Sequence, residues 1–300
     1  MDFFNNHLGE FAALGTAFFW TVTSLSFESA SRKVGSISVN LIRLIIGLIF
    51  LSIYNLVTRG LILPTDAGRD NWIWLILSGL VGFVFGDLFL FKSYTVIGSR
   101  FSMLIMTLVP PITAFFSWLI IGEKLKLLHL AGMTLTFSGI AMAIFNMNGK
   151  GEKVSLKLAP IGVLYAIGGA VGQALGLVLS KVGLKGYDPF AATQIRVIAG
   201  VAGFAFLVTI LSRWSSAFKA IKNGSAMKSI SLGAFFGPFL GVSFSLIAVK
   251  YTEAGIASTI MALVPVLIIA PSVIIYKQKV TLPEIIGAII SVCGVAVFFL

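Results

Sequence analysis

A chain of 300 residues that is 58% hydrophobic and only 11% charged, with a mean hydropathy of +1.02, has more apolar surface than one water-soluble core can hide. Its formal charge of +11 is spread as single or paired Lys and Arg between apolar runs, which excludes the basic block of a nucleic-acid partner and fits loop charges at a membrane surface. One cysteine, Cys293, excludes an internal disulfide and any CxxC motif, and the two histidines, His7 and His129, lie far apart, so neither a metal nor a cofactor is expected.

A bilayer span takes about 20 apolar residues. Apolar runs and their polar breaks predict spans over 10–30, 37–57, 72–93, 101–121 and 128–146, then 159–180, 190–211, 229–249, 256–276 and 282–300. The first run is as long as a full span and has no basic segment before it, so it is expected to stay in place and not to be cleaved as a signal peptide. The polar stretch 146–158, with Gly149, Lys150, Gly151, Glu152 and Lys153, reads as a linker between 1–149 and 150–300. The resulting fold class is all-α integral membrane, ten transmembrane helices in two five-helix repeats, with the lipid bilayer as main partner.

The two halves match each other. A shift of 153 superposes Ala13 on Ala166, Gly15 on Gly168, Arg43 on Arg196 and Gly47 on Gly200; a shift of 155 superposes Gly82 and Gly86 on Gly237 and Gly241. The second shift also carries the run from Ile105 to Pro110 onto Ile260 to Pro265, then Gly132 onto Gly287 and Gly139 onto Gly294. Matched Arg, Pro and Gly in one order mark an internal repeat. Because each repeat has an odd number of spans, the second enters from the opposite side, which is the inverted-repeat plan of secondary transporters.

Polar residues within the spans are the candidate site. Thr16, Trp20, Ser24 and Glu28 fall at steps of four in the first span, and Tyr165, Gln173 and Ser180 share a face of the sixth. Such faces either line a cavity or bond a neighbouring helix. Arg43 and Asp87 lie at similar depth in spans that run oppositely, and a lone charge there costs about 2.5–3.5 kcal/mol, so an ion pair is expected. Arg196 mirrors Arg43, but Asp87 falls on Val242 or Phe244 and has no counterpart. The pair is either structural, or Asp87 exchanges a proton and Arg43 or Arg196 holds a substrate carboxylate. Pro110 and Pro265 interrupt the fourth and ninth spans at equivalent positions; each frees a backbone carbonyl, and paired breaks point to a midplane site with a packing kink as the plainer reading. Gly82, Gly86, Gly168, Gly172, Gly176, Gly237 and Gly241 read as close helix contacts.

At these residues the chain resembles the ten-helix EamA-type family of the drug/metabolite transporter superfamily over nearly its whole length. The resemblance rests on Trp20, on Gly86 and Asp87 through Phe91, Lys92, Ser93 and Tyr94, and on Leu108, Val109, Pro110 followed by Leu119 to Leu125 with its Gly122–Glu123 pair. In the second half Leu263, Val264 and Pro265 are kept, but Lys277 and Gln278 replace the Gly-Glu pair, which puts little weight on that pair for transport. The resemblance implies a secondary active exporter or exchanger of a small polar metabolite such as an amino acid, with a central cavity between the repeats. The substrate-binding candidates are then Trp20, Ser24, Arg43, Tyr94, Pro110, Gln173, Arg196 and Pro265, and the proton-coupling candidates Asp87 and Glu28. A monomer or weak homodimer in a prokaryotic plasma membrane is expected, and no enzyme activity.

Three other readings compete. A lipid- or isoprenoid-modifying enzyme would need clustered acids or histidines near a helix end, which the sequence lacks; a channel would need a filter loop or a ring of like charges; a carrier of nucleotide sugars or other phosphorylated metabolites is a variant of the transporter. On orientation, the side shared by both termini has fewer Lys and Arg, so the positive-inside rule puts the termini outside, whereas the resemblance implies termini inside.

Overall fold

The computed structural model describes residues 4, 6–145, 159–267, 269, 271 and 282–299, and every regular element among them is helical. The linker over 146–158, the end of the ninth span and the Lys277–Gln278 pair lie outside the described residues. Apolar runs in hydrocarbon must satisfy their backbone internally, which makes them helices. The first repeat holds α1 (Leu8–Val34), α2 (Ser36–Arg59), α3 (Arg69–Gly79), a π-helical stretch Leu80–Asp87, α4 (Leu88–Met106), α5 (Val109–Ile121) and α6 (Leu127–Phe145). The second holds α7 (Pro160–Gly183), α8 (Pro189–Ile210), α9 (Trp214–Lys222), α10 (Gly224–Ala234), a π-helical stretch Phe235–Gly241, α11 (Val242–Tyr251), α12 (Ala254–Met261), α13 (Val264–Leu267) and α14 (Leu282–Ala296).

Among the described residues, five stretches are long and apolar enough to cross a bilayer: Ser36–Arg59, Arg69–Tyr94, Pro160–Gly183, Pro189–Ile210 and Gly224–Tyr251. Shorter apolar helices occupy Val109–Ile121, Leu127–Met142, Ala254–Leu267 and Ile285–Phe299. Ile49, Ile53 and Val57 are exposed at helical spacing along α2, the stripe that lipid covers. One residue, Gly35, joins α1 to α2 with φ of 81°, a conformation that a side chain would strain.

The third and fourth spans differ from expectation at their junction. Helical hydrogen bonding continues through α4 across the polar residues after Lys92, where a loop is predicted. Yet Ser93 Oγ donates to Ser102 Oγ at 2.7 Å, whereas nine residues of straight helix would separate them by about 13.5 Å. The chain therefore bends sharply between Ser93 and Ser102. The stretch holds no proline to stop the helix.

Glycines determine how the repeats meet. A Cβ at Gly172 would lie 2.6 Å from Gly86 Cα, and one at Gly176 would lie 2.7 Å from Gly82 Cα, so α7 runs antiparallel to the Leu80–Asp87 stretch at backbone contact. The mirror contact joins α1 to the eighth span, where Cβ atoms at Gly233 and Gly241 would meet Phe27 and Trp20. Each repeat's first helix thus packs on the third of the other, and the halves interlock.

Equivalent helices also cross antiparallel. Gly132 of α6 faces Gly294 of α14 while Gly139 faces Gly287 and Ser291, and Leu44 of α2 meets Gly200 of α8 while Asn55 Nδ2 donates to Gln194 Oε1 at 2.8 Å. A two-fold axis perpendicular to the helices produces such crossings, and an axis along the membrane normal would not. The repeats are inverted.

Gly172→Val should lower the melting temperature of the purified protein, with a loss of about 1–3 kcal/mol for overpacking that only backbone movement relieves. Gly224→Ala, where nothing lies within 4 Å of the added atom, is the control and should melt as the parent does.

Candidate functional site

A central cavity of about 190 Å³ lies between the repeats. Its wall is drawn from equivalent positions of both: Arg43 with Arg196, Trp20 with Gln173, Met106 with Met261, Val109 with Val264, and Asp87 with Val242. The pseudo-two-fold axis therefore runs through the cavity. In the π-helical stretches, Leu80–Asp87 and Phe235–Gly241, the hydrogen-bond register is wide; the second contains Pro238 as its evident cause. The first ends on Asp87 and aims it inward.

Arg43 and Asp87 are 6% and 5% exposed and form an ion pair. Arg43 Nε also donates to Asn40 Oδ1 at 2.8 Å, and its guanidinium lies 5.2 and 5.4 Å from the ring centroids of Phe27 and Phe91. The other Asp87 oxygen accepts from Gln173 Nε2 at 2.6 Å. The carboxylate is thus held by one helix of its own repeat and one of the other. A buried charge in this setting is stable only while such partners remain.

Trp20, Ser24, Arg43, Asp87, Tyr94, Gln173, Arg196 and Pro265 all stand on the wall. Two candidates do not. Glu28 lies a turn beyond Ser24, off the wall and partly buried, where it accepts from Arg32 Nη2 at 2.8 Å. Pro110 is buried beside the wall, which Met106, Thr107 and Val109 form in its place. The breaks themselves fall at Thr107–Leu108 and Ala262–Leu263, ahead of the prolines. The reason is that a proline cannot donate to the carbonyl four residues earlier, which is Met106 for Pro110 and Met261 for Pro265; both residues reach the cavity. Tyr165 and Ser180 are also off the wall, Tyr165 beneath the Lys92 ammonium and Ser180 bonded to Leu177 O.

The sequence reading missed the aromatic and apolar lining, Phe27, Phe83, Leu90, Phe91 and Leu177, which composition hides among many similar residues. It also set aside Glu123. That carboxylate pairs with Lys181, accepts from Ser117 Oγ and takes the backbone N–H of Ala254 at 3.0 Å, where α12 begins. Lys181 Nζ donates to Thr252 O at 2.6 Å, and Thr252 Oγ1 to Glu10 Oε1 at 2.8 Å. This lock ties both repeats together on the face where α1 starts, and the cavity wall stops short of it.

Such an interlocked, inverted pair of helical repeats around a central cavity, with a few charged and polar groups set in a largely apolar wall, defines a multi-pass helical membrane protein. The EamA-like transporter family model matches residues 7–145 and 160–300, once per repeat, and the chain belongs to that family. A transporter of Bacillus subtilis termed uncharacterized, YvbV, is 27% identical over 62% of this chain and 58% of its own length. Human solute carrier family 35 member G1 is 25% identical over 69% of this chain and 57% of its own. The matched region thus spans somewhat over half the length of these relatives. A crystal structure with 20% identity superposes with a TM-score of 0.73 over 98% of this chain and 96% of the other, which shows the shared fold.

Asp87→Asn and Arg43→Gln should each destabilise the protein by about 3–5 kcal/mol, since each strands one buried partner. The double variant should recover most of that loss, which a thermal melt of all four forms in detergent reads as a coupling energy.

Proposed function

We propose that the protein is a secondary active transporter that carries a small polar metabolite, of the size and kind of an amino acid, through the central cavity by alternating access coupled to protons at Asp87. The observation that carries this reading is the Arg43–Asp87 pair on the cavity wall, at the end of a π-helical stretch and bonded across the repeat interface to Gln173. An acid that loses its guanidinium partner in a low-dielectric interior must be neutralised by something else, either a proton or a cationic group of the cargo. Rocking one repeat against the other would change what stands beside Asp87, since Gln173 belongs to the second repeat and Arg43 to the first.

The cavity size supports a small cargo, because pockets for drug-sized ligands run to about 300–1,000 Å³. The Glu123–Lys181 lock is the contact that would part for release on the face where α1 starts. The plasma membrane of a prokaryote is the compartment we assign, with the Bacillus relative as support.

The Arg43→Gln, Asp87→Asn double variant tests the coupling without a stranded charge. Reconstituted in vesicles, it should exchange amino acids down their own gradient and fail to accumulate them when a pH gradient is imposed. Retained pH-driven accumulation would remove Asp87 from the mechanism.

A further inference from the structure

Arg43 and Arg196 are equivalent in the repeats, and both stand on the cavity wall. Their surroundings differ. Arg43 has Asp87, Asn40 and two aromatic rings. Arg196 is 5% exposed, lies 5.1 Å from the Phe83 ring centroid, and its Nε has no hydrogen-bond partner. Among the described residues it makes no ion pair. Asp87 is near enough for its charge to be felt, but its two oxygens are occupied by Arg43 and Gln173. The position that would supply an acid in the second repeat is Val242, itself on the wall.

The cavity therefore holds two guanidinium groups against one carboxylate, and one positive charge in the membrane interior has no fixed counter-ion of its own. The absence of a side chain at Gly82 is what lets the guanidinium lie there, since a Cβ would come within 3.3 Å of Arg196 Nη2. A guanidinium is a planar fork that matches a carboxylate in bidentate fashion. Phe83 stacks beside that of Arg196, and Leu177, Val242 and Met261 on the same cavity wall are apolar.

We propose that Arg196 is the socket for the carboxylate of the cargo, and that the cargo is a small monocarboxylate with a compact apolar body, either a simple acid or the carboxylate end of an amino acid. This deepens the transporter reading and takes from it that the cavity receives cargo. The loaded state then brings the missing counter-charge, and cargo without an anionic group leaves Arg196 unmatched.

The test uses the full chain purified in detergent, with melting temperature as the readout. The probes are isocaproate and leucine, against isocaproamide and leucinamide, which keep the shape and lose the negative charge. At least one acid should raise the melting temperature of the parent, and its amide should not; isocaproate alone points to simple acids, leucine alone to amino acids, and either supports the socket. Arg196→Lys keeps the buried charge and the fold but loses the fork, so it should weaken acid binding roughly tenfold, and Arg196→Gln should abolish it. The proposal is overturned if neither acid shifts the parent, if amides bind as well as acids, or if Arg196→Lys binds the acids as tightly as the parent. Vesicle uptake separates the two claims. Acids that bind but never cross sink the transporter reading and leave the socket, whereas equal uptake of acid and amide, unchanged in Arg196→Lys, sinks the socket and leaves the transporter.

Discussion

The backbone contact between Gly82 and Gly86 on one side and Gly172 and Gly176 on the other fixes where the charges of the cavity can stand. Lipid tails are as apolar as leucine, so burial alone does not hold membrane helices together; close packing and interhelical polar bonds must do so. Ser78 Oγ donating to Gly176 O at 2.5 Å adds such a bond on the same seam. The seam sets the depth of the π-helical stretch, and hence of Asp87 one residue past Gly86, and it brings Gln173 within reach of the carboxylate. With Arg43 arriving from α2, a charge that the bilayer would not tolerate alone becomes part of a bonded set.

The second organising fact is that symmetry and asymmetry occupy the same cavity. Backbone features repeat closely: the π-helical stretches, the breaks at Thr107–Leu108 and Ala262–Leu263, and the two arginines all sit at equivalent positions. The side chains that make charge do not. Asp87 answers Arg43, and Val242 leaves Arg196 unanswered. The duplicated scaffold repeats the backbone, and the unpaired substitutions set the charge.

Much of this was legible in the sequence because membrane folds obey few rules. Apolar run length gave the spans, and the matched Arg, Pro and Gly positions gave the repeat and its inversion. The Arg43–Asp87 contact followed from depth and from the cost of a lone charge. What escaped was decided by rotation about helix axes and by three-dimensional closeness. Glu28 continues the polar stripe of α1 by spacing, yet it stands off the wall and accepts from Arg32. Pro110 and Pro265 are equivalent in sequence, but only Pro265 reaches the wall. Glu123 looked dispensable because the second repeat lacks it, although the first repeat uses it to bind α12 and Lys181 of the second.

That last contact makes the duplication lopsided. A perfectly duplicated inverted fold would have two conformations of equal energy, one facing each side. Here the lock on one face joins Glu123 to Lys181, whereas the residues equivalent to them by sequence are Gln278 and Glu28, which carry no opposite charges. Closure of the first face is therefore strengthened by an ion pair that closure of the second does not gain from those positions. If the protein alternates access as proposed, its empty form should rest shut at the face where α1 starts, with the cavity left to be entered from the other side.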